Sequence, residues 1–142
     1  MSFKYRSDLV QADAAFEAEA PDQETRFSEC ARAMFGLMAD EDSVSCVLTR
    51  VLNLEDRSGD MLLHRWLSDL IYLKDKESVL FREFSVHIEN KDGLFSLKSV
   101  LKGEKIDPAR HRLGTDVKGI SFYKFSLEST GGLWKAFVVC DL

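Results

Sequence analysis

The 142-residue chain holds little of what most site chemistries require. Its three cysteines, Cys30, Cys46 and Cys140, are odd in number and far apart. They form neither a CxxC pair nor a disulfide framework, a usage that fits a reducing cytosol. The three histidines, His64, His87 and His111, never stand at ligand spacing, which argues against a structural zinc module. No apolar run approaches the ~20 residues of a membrane helix. The opening Met1-Ser2-Phe3-Lys4-Tyr5-Arg6 leads into polar and acidic residues without a signal-peptide core, so a cytoplasmic location is expected. Basic charge is not in excess: 19 Lys and Arg against 24 Asp and Glu leave a net charge of -5. No global field therefore draws in nucleic acid or an anionic membrane. Glycine-rich phosphate loops, nucleophile elbows and paired catalytic motifs are absent as well. Asp40-Glu41-Asp42-Ser43 lacks the glycine and distal glutamate of a calcium-binding EF-hand and reads as a turn.

What the chain does have is core. A 45% hydrophobic and 11% aromatic content over this length suits one domain, residues 1–142, built on one core. Residues 12–20 alternate, with Phe16, Ala18 and Ala20 on one face and Glu17 and Glu19 on the other, which predicts a half-buried strand. Pro21 breaks it, and Asp22 can cap a helix from Thr25 to Met38 whose stripe is Phe27, Ala31, Met34, Phe35 and Met38. Val44 to Leu54 reads as a strand. A second helix, capped by Ser58 or Asp56, carries Leu62, Leu63, Trp66, Leu67, Leu70 and Ile71 as doublets every fourth residue.

Beyond Ser78 the period falls from 3.6 to 2. Phe84, Val86 and Ile88 alternate with polar residues that include His87, and Asn90-Lys91-Asp92-Gly93 predicts a hairpin turn. The return strand carries Phe95, Leu97, Ser99 and Leu101. A loop is expected from Gly103 to Thr115, then a strand from Val117 to Leu127 and a turn at Ser129-Thr130-Gly131-Gly132. The order β-α-β-α-β-β-β-β predicts an α+β fold: a mostly antiparallel sheet with two helices on one face.

The final stretch, Trp134-Lys135-Ala136-Phe137-Val138-Val139-Cys140-Asp141-Leu142, runs apolar to its end and predicts a central strand buried on both faces. A free carboxylate on Leu142 would lie one residue from that of Asp141, and two anions held so close repel unless a cation or hydrogen-bond donors join them. An ordinary final strand with a solvated tail has the same pattern.

Several segments, in this order and spacing, together resemble the archease family. They are Ala12-Asp13, the helix from Phe27 to Met38 with its Ala39-Asp40 end, and Leu67-Ser68-Asp69-Leu70-Ile71-Tyr72-Leu73. Further on come Gly103 to His111, Asp116-Val117-Lys118-Gly119, and Val138 to Leu142. The resemblance implies a small cytosolic accessory protein rather than an enzyme. Such proteins assist the GTP-dependent RNA ligase of tRNA splicing, promoting its guanylylation and turnover, and some are linked to a tRNA methyltransferase as chaperone-like modulators. It also implies a metal site on Asp13, Asp141 and the terminal carboxylate of Leu142. An all-oxygen, anionic set suits calcium or another hard divalent cation. The partner expected is the ligase, without direct contact to nucleic acid or membrane.

The chain departs from the family pattern at three places. Val10-Gln11 stand where a histidine and threonine precede Ala-Asp, Lys74 follows Leu73 in place of a histidine, and Phe122-Tyr123 replace a Tyr-His pair. Loss of these histidines removes donors and titratable charge. It raises a second reading: a chaperone-like or regulatory binding module that keeps the fold without activating a ligase. A metal-dependent hydrolase using Asp13 and Asp141 would need a base or nucleophile motif that does not accompany them. Lys118, Asp107 and His111 are further candidate contacts, though Asp107-Pro108 has the form of a turn initiator.

Overall fold

A computed structural model describes residues 1–6 and 13–142. Val10 and Gln11 of the altered motif, and Ala12 before Asp13, lie outside the described residues. Among the described residues the chain forms β1 (Ser2–Tyr5), β2 (Ala14–Ala20), α1 (Gln23–Met38), β3 (Leu48–Asp56) and α2 (Gly59–Glu77). It continues with β4 (Val79–Lys91), β5 (Leu94–Lys105), β6 (Gly119–Thr130) and β7 (Leu133–Asp141). The α+β class and its antiparallel pairing are as expected. Two features are additional: the short strand β1, and a division into two sheets, one ordered β1-β2-β7-β6 and the other β3-β5-β4.

Helix boundaries follow their caps. The Asp22 side chain accepts the Thr25 N–H at 2.7 Å, and the Ser58 hydroxyl accepts the Met61 N–H at 3.2 Å. Both satisfy donors that the first helical turn leaves free. The doublet stripe of α2 is buried along its length, and the Trp66 indole N–H donates to the Phe27 carbonyl at 3.0 Å, joining the helices. Both hairpins close on two-residue turns with positive φ, Asp92-Gly93 (54° and 82°) and Gly131-Gly132 (60° and 79°). Their twist matches that of the flanking strands.

The placement of α1 differs from two helices on one face of one sheet. Its Ser28 hydroxyl bonds the Phe84 carbonyl of β4, and Phe35 packs on Phe81 and Phe84 with ring centroids 5.8 and 5.6 Å away. On its other side the Ala33 carbonyl accepts the Tyr5 hydroxyl of β1, and the Arg26 guanidinium donates to the Lys135 carbonyl of β7 at 3.0 Å. Helix α1 therefore touches both sheets. The physical reason is its girth: Cys30, Ala31 and Ala33 widen the apolar stripe, and all three are fully buried.

Strand β7 lies between β2 and β6, central as expected, with Val138, Val139 and Cys140 all buried. Burial on both faces is confined to this last half, since Leu133 and Lys135 are exposed. The stretch expected as a loop from Gly103 is strand as far as Lys105, and the remainder docks on the end of α1. There the Gly114 and Thr115 N–H groups donate to the Met38 and Leu37 carbonyls at 2.7 and 2.8 Å.

Candidate functional site

The β2–β7 ladder ends at the antiparallel pair Ala14–Cys140; Asp13 directly precedes that pair, outside β2, and Asp141 follows it on β7. On the other flank Gly119 pairs with Asp141, and the Lys118 N–H donates to the Asp141 carbonyl at 2.8 Å. Gly119 has a steric role here. A Cβ at that position would lie 3.3 Å from Asp141 Oδ2, closer than most real contacts. Asp13 is half-buried, while Asp141 and Leu142 are exposed.

Electrostatics tie the two aspartates to a third group. The Cys140 thiol is fully buried, and its pKa is pushed up to about 12, first by burial and then by the charges of Asp141 and Asp13. Burial so deep keeps the thiol protonated when no metal is bound. The accessible donors here are the carboxylate oxygens of Asp13 and Asp141, hard ligands of the kind a calcium-like cation takes. Among the described residues no three His, Cys, Asp or Glu side chains gather as a metal-binding group.

The remaining candidates separate by role. Lys118 is exposed at the edge of this site. Asp107 and His111 belong to a loop staple elsewhere. The Asp107 carboxylate accepts the Ala109 N–H at 3.0 Å, the His111 Nδ1 accepts the Asp107 N–H at 2.8 Å, and the His111 Nε2 meets the buried Glu104 carboxylate. Arg110 pairs with the same carboxylate. Burial pushes the Glu104 carboxyl up, but hydrogen bonds from Arg110 and His111 outweigh it and hold it below the ordinary glutamate value. His87 lies on the exposed face of β4 between Glu24 and Glu89, as its polar alternation suggests.

Two features near the site were not singled out as functional from the residues alone. Lys74 is 4% exposed and binds Asp75, Asp116 and the Val117 carbonyl. Its position three and four residues beyond Ile71 and Leu70 continues the buried stripe, which is the signal that could have found it. The second is a bulge in β6 between Ser121 and Ser126 that leaves Phe122 and Tyr123 62% and 59% exposed, with Lys124 at a φ of 54°. His64 of α2 stacks on Phe122 at 3.9 Å. A bulge of this size is invisible to an alternation pattern.

Comparison with known proteins agrees with this architecture. Residues 3–142 match the archease protein family model. The chain is 36% identical over 132 residues to a protein named archease from Methanosarcina mazei, covering 92% of this chain and 90% of that one. It is 35% identical to another from Methanothermobacter thermautotrophicus, covering 94% of each. The solution structure of protein 1598 from Methanobacterium thermoautotrophicum superposes with a TM-score of 0.87, at 33% identity and 99% coverage of both chains. A crystal structure from Thermotoga maritima, described as an archease and possible chaperone, shares the fold with a TM-score of 0.57 at 17% identity, over 94% of this chain and 93% of that one. With a family match over residues 3–142, relatives above 30% identity and a solved relative that superposes over the whole chain, the chain belongs to the archease family.

Proposed function

We propose that this chain is a cation-binding accessory protein, not itself an enzyme, that activates a GTP-dependent RNA ligase of tRNA splicing. Asp13, Asp141 and the main-chain carboxylate of Leu142 hold calcium or another hard divalent cation. The observation that supports the reading is that Asp13 and Asp141 flank the last pair of the β2–β7 ladder, Ala14–Cys140, and both act on the Cys140 thiol. When bound, the cation supplies a positive centre at the sheet's end on which oxygens of the partner can complete the coordination.

The chain's own part is to place two carboxylates with little freedom. Pairing with Gly119 fixes the backbone of Asp141, Asp13 directly precedes the paired Ala14, and Gly119 leaves room for the Asp141 side chain. The net charge of -5 favours a basic protein surface as partner over RNA itself. The test is a ligase turnover assay with the cognate enzyme. Wild type is expected to raise ligase guanylylation and multiple turnover, and Asp141→Asn to lose most of that stimulation; a wild type that neither stimulates nor associates with the ligase sinks the reading.

A second reading has its own observation. The exposed Phe122 and Tyr123 on the β6 bulge offer apolar surface to a protein client, in keeping with the chaperone description of the Thermotoga maritima relative. In that case Phe122→Ser together with Tyr123→Ser would abolish suppression of client aggregation while leaving ligase stimulation at the wild-type level.

A further inference from the structure

Lys74 is a buried cation with a defined set of partners. Its Nζ lies 2.6 Å from Asp116 Oδ1, 2.5 Å from Asp75 Oδ1 and 3.1 Å from the Val117 carbonyl. Taking an ammonium out of water is costly, and a hydrophobic residue of similar volume would pack there without that cost. Burial pulls the Lys74 pKa down, but the hydrogen bonds it donates to Asp116 and Asp75 carry it above the ordinary lysine value. The charge is therefore retained and committed to its partners.

Those partners lead to the site. Asp75 is the neighbour of Lys74 on α2, but Asp116 and Val117 belong to the stretch that enters β6. Residues 114–118 are neither helix nor strand; Gly114 and Thr115 are held by backbone hydrogen bonds to the end of α1, and Lys74 holds the stretch at 116 and 117. At the next residue the Lys118 N–H donates to the Asp141 carbonyl, and Gly119 then pairs with Asp141. The carbonyl that Lys74 grips and the N–H that binds the Asp141 carbonyl belong to one planar peptide group, Val117–Lys118.

We propose that Lys74 is a positioning residue for the cation site: by fixing Asp116 and Val117 it sets the backbone of residues 118–119, and through it the Asp141 carboxylate. The inference rests on Asp13, Asp141 and Leu142 being the cation's ligands. Groups that orient metal ligands from outside the coordination sphere typically change affinity by about 10–100-fold when removed.

Electrostatics and positioning make opposite forecasts, which lets them be separated. Removing a positive charge near an anionic site would by itself tighten a cation, whereas loosening Asp141 weakens it. Calcium chloride is titrated calorimetrically into the full chain, wild type and Lys74→Gln, with the thermal midpoint of each measured without calcium. Lys74→Gln is expected to bind calcium about tenfold more weakly. A lowered midpoint with unchanged or tighter affinity would show Lys74 to be structural only and overturn the inference, leaving the cation reading intact. Absence of calcium binding by wild type overturns both. Asp116→Asn, at an exposed position outside the core, covers the case in which Lys74→Gln does not fold. At high salt, where loss of its charge is screened, it is expected to stay several-fold weaker than wild type; equal affinity there overturns the inference.

Discussion

Asp13 and Asp141 flank the Ala14–Cys140 pair that ends the β2–β7 ladder, and both carboxylates act on the same buried thiol. Strand register does what loop ligands would need several extra hydrogen bonds to achieve. Asp141 inherits the rigidity of a central strand, and Asp13 directly precedes the paired Ala14.

Gly119 is the neighbour that makes this compact arrangement permissible. Gly119→Ala would set a Cβ 3.3 Å from Asp141 Oδ2 and push the carboxylate outward by a few tenths of an ångström. Cation affinity is expected to fall by several-fold while the fold persists, because the residue is on the strand's flank and its φ is not in the left-handed region. Calcium titration of the variant, with circular dichroism as the control for folding, checks both halves.

Gly103 gives the contrasting case of a glycine required by the core. A Cβ there would lie 1.9 Å from the Leu80 carbonyl oxygen, in the β4–β5 ladder where the backbone cannot retreat. Gly103→Ala is expected to destabilise the protein by about 3 kcal/mol or more, within the range of severe overpacking. Urea denaturation would show a lower midpoint than wild type, and an unchanged midpoint would contradict the close approach.

The three cysteines should differ sharply in reactivity. Cys30 and Cys140 are fully buried with thiols pushed up to about 12, by burial above all, whereas Cys46 is exposed. A thiol reagent applied to the native protein is expected to label Cys46 alone, and all three after unfolding. Labelling of Cys140 in the native protein would show that the end of β7 is open to solvent.

Acid sensitivity should be concentrated at the loop staple. Glu104 is buried by the fold, yet the hydrogen bonds from Arg110 and His111 leave its carboxyl below the ordinary value of 4.5. A depressed carboxyl contributes stability that is complete above the unfolded value and lost as pH falls through the folded one. Glu104→Gln is therefore expected to be less stable than wild type at about pH 7, and the gap should narrow toward about pH 3. Denaturant midpoints at several pH values measure it; a constant gap would refute the assignment.

Most of the fold was legible where a single periodicity governed a segment. The doublets from Leu62 to Ile71, the alternation from Phe84 to Ile88 and the turn residues Gly93 and Gly131-Gly132 each specify a local structure with one physical cause. The second sheet and the position of α1 were not legible, because pairing between β2 and β7 joins residues more than a hundred apart and leaves no local trace. Asp13 and Asp141 were singled out as a site only through the family resemblance, because no local pattern marks a carboxylate as a ligand. Lys74 shows where reading residues by type falls short. As a lysine among charged neighbours it looks solvated, and only its register on the helix marks it as buried.

The most direct measurement is a calcium titration of the full chain by calorimetry, run beside Asp13→Asn and beside a chain extended past Leu142. Wild type is expected to bind at a single site, Asp13→Asn to lose binding, and the extended chain to bind more weakly because its Leu142 carboxylate has become an amide. Equal affinity in all three would contradict a cation site formed by Asp13, Asp141 and Leu142.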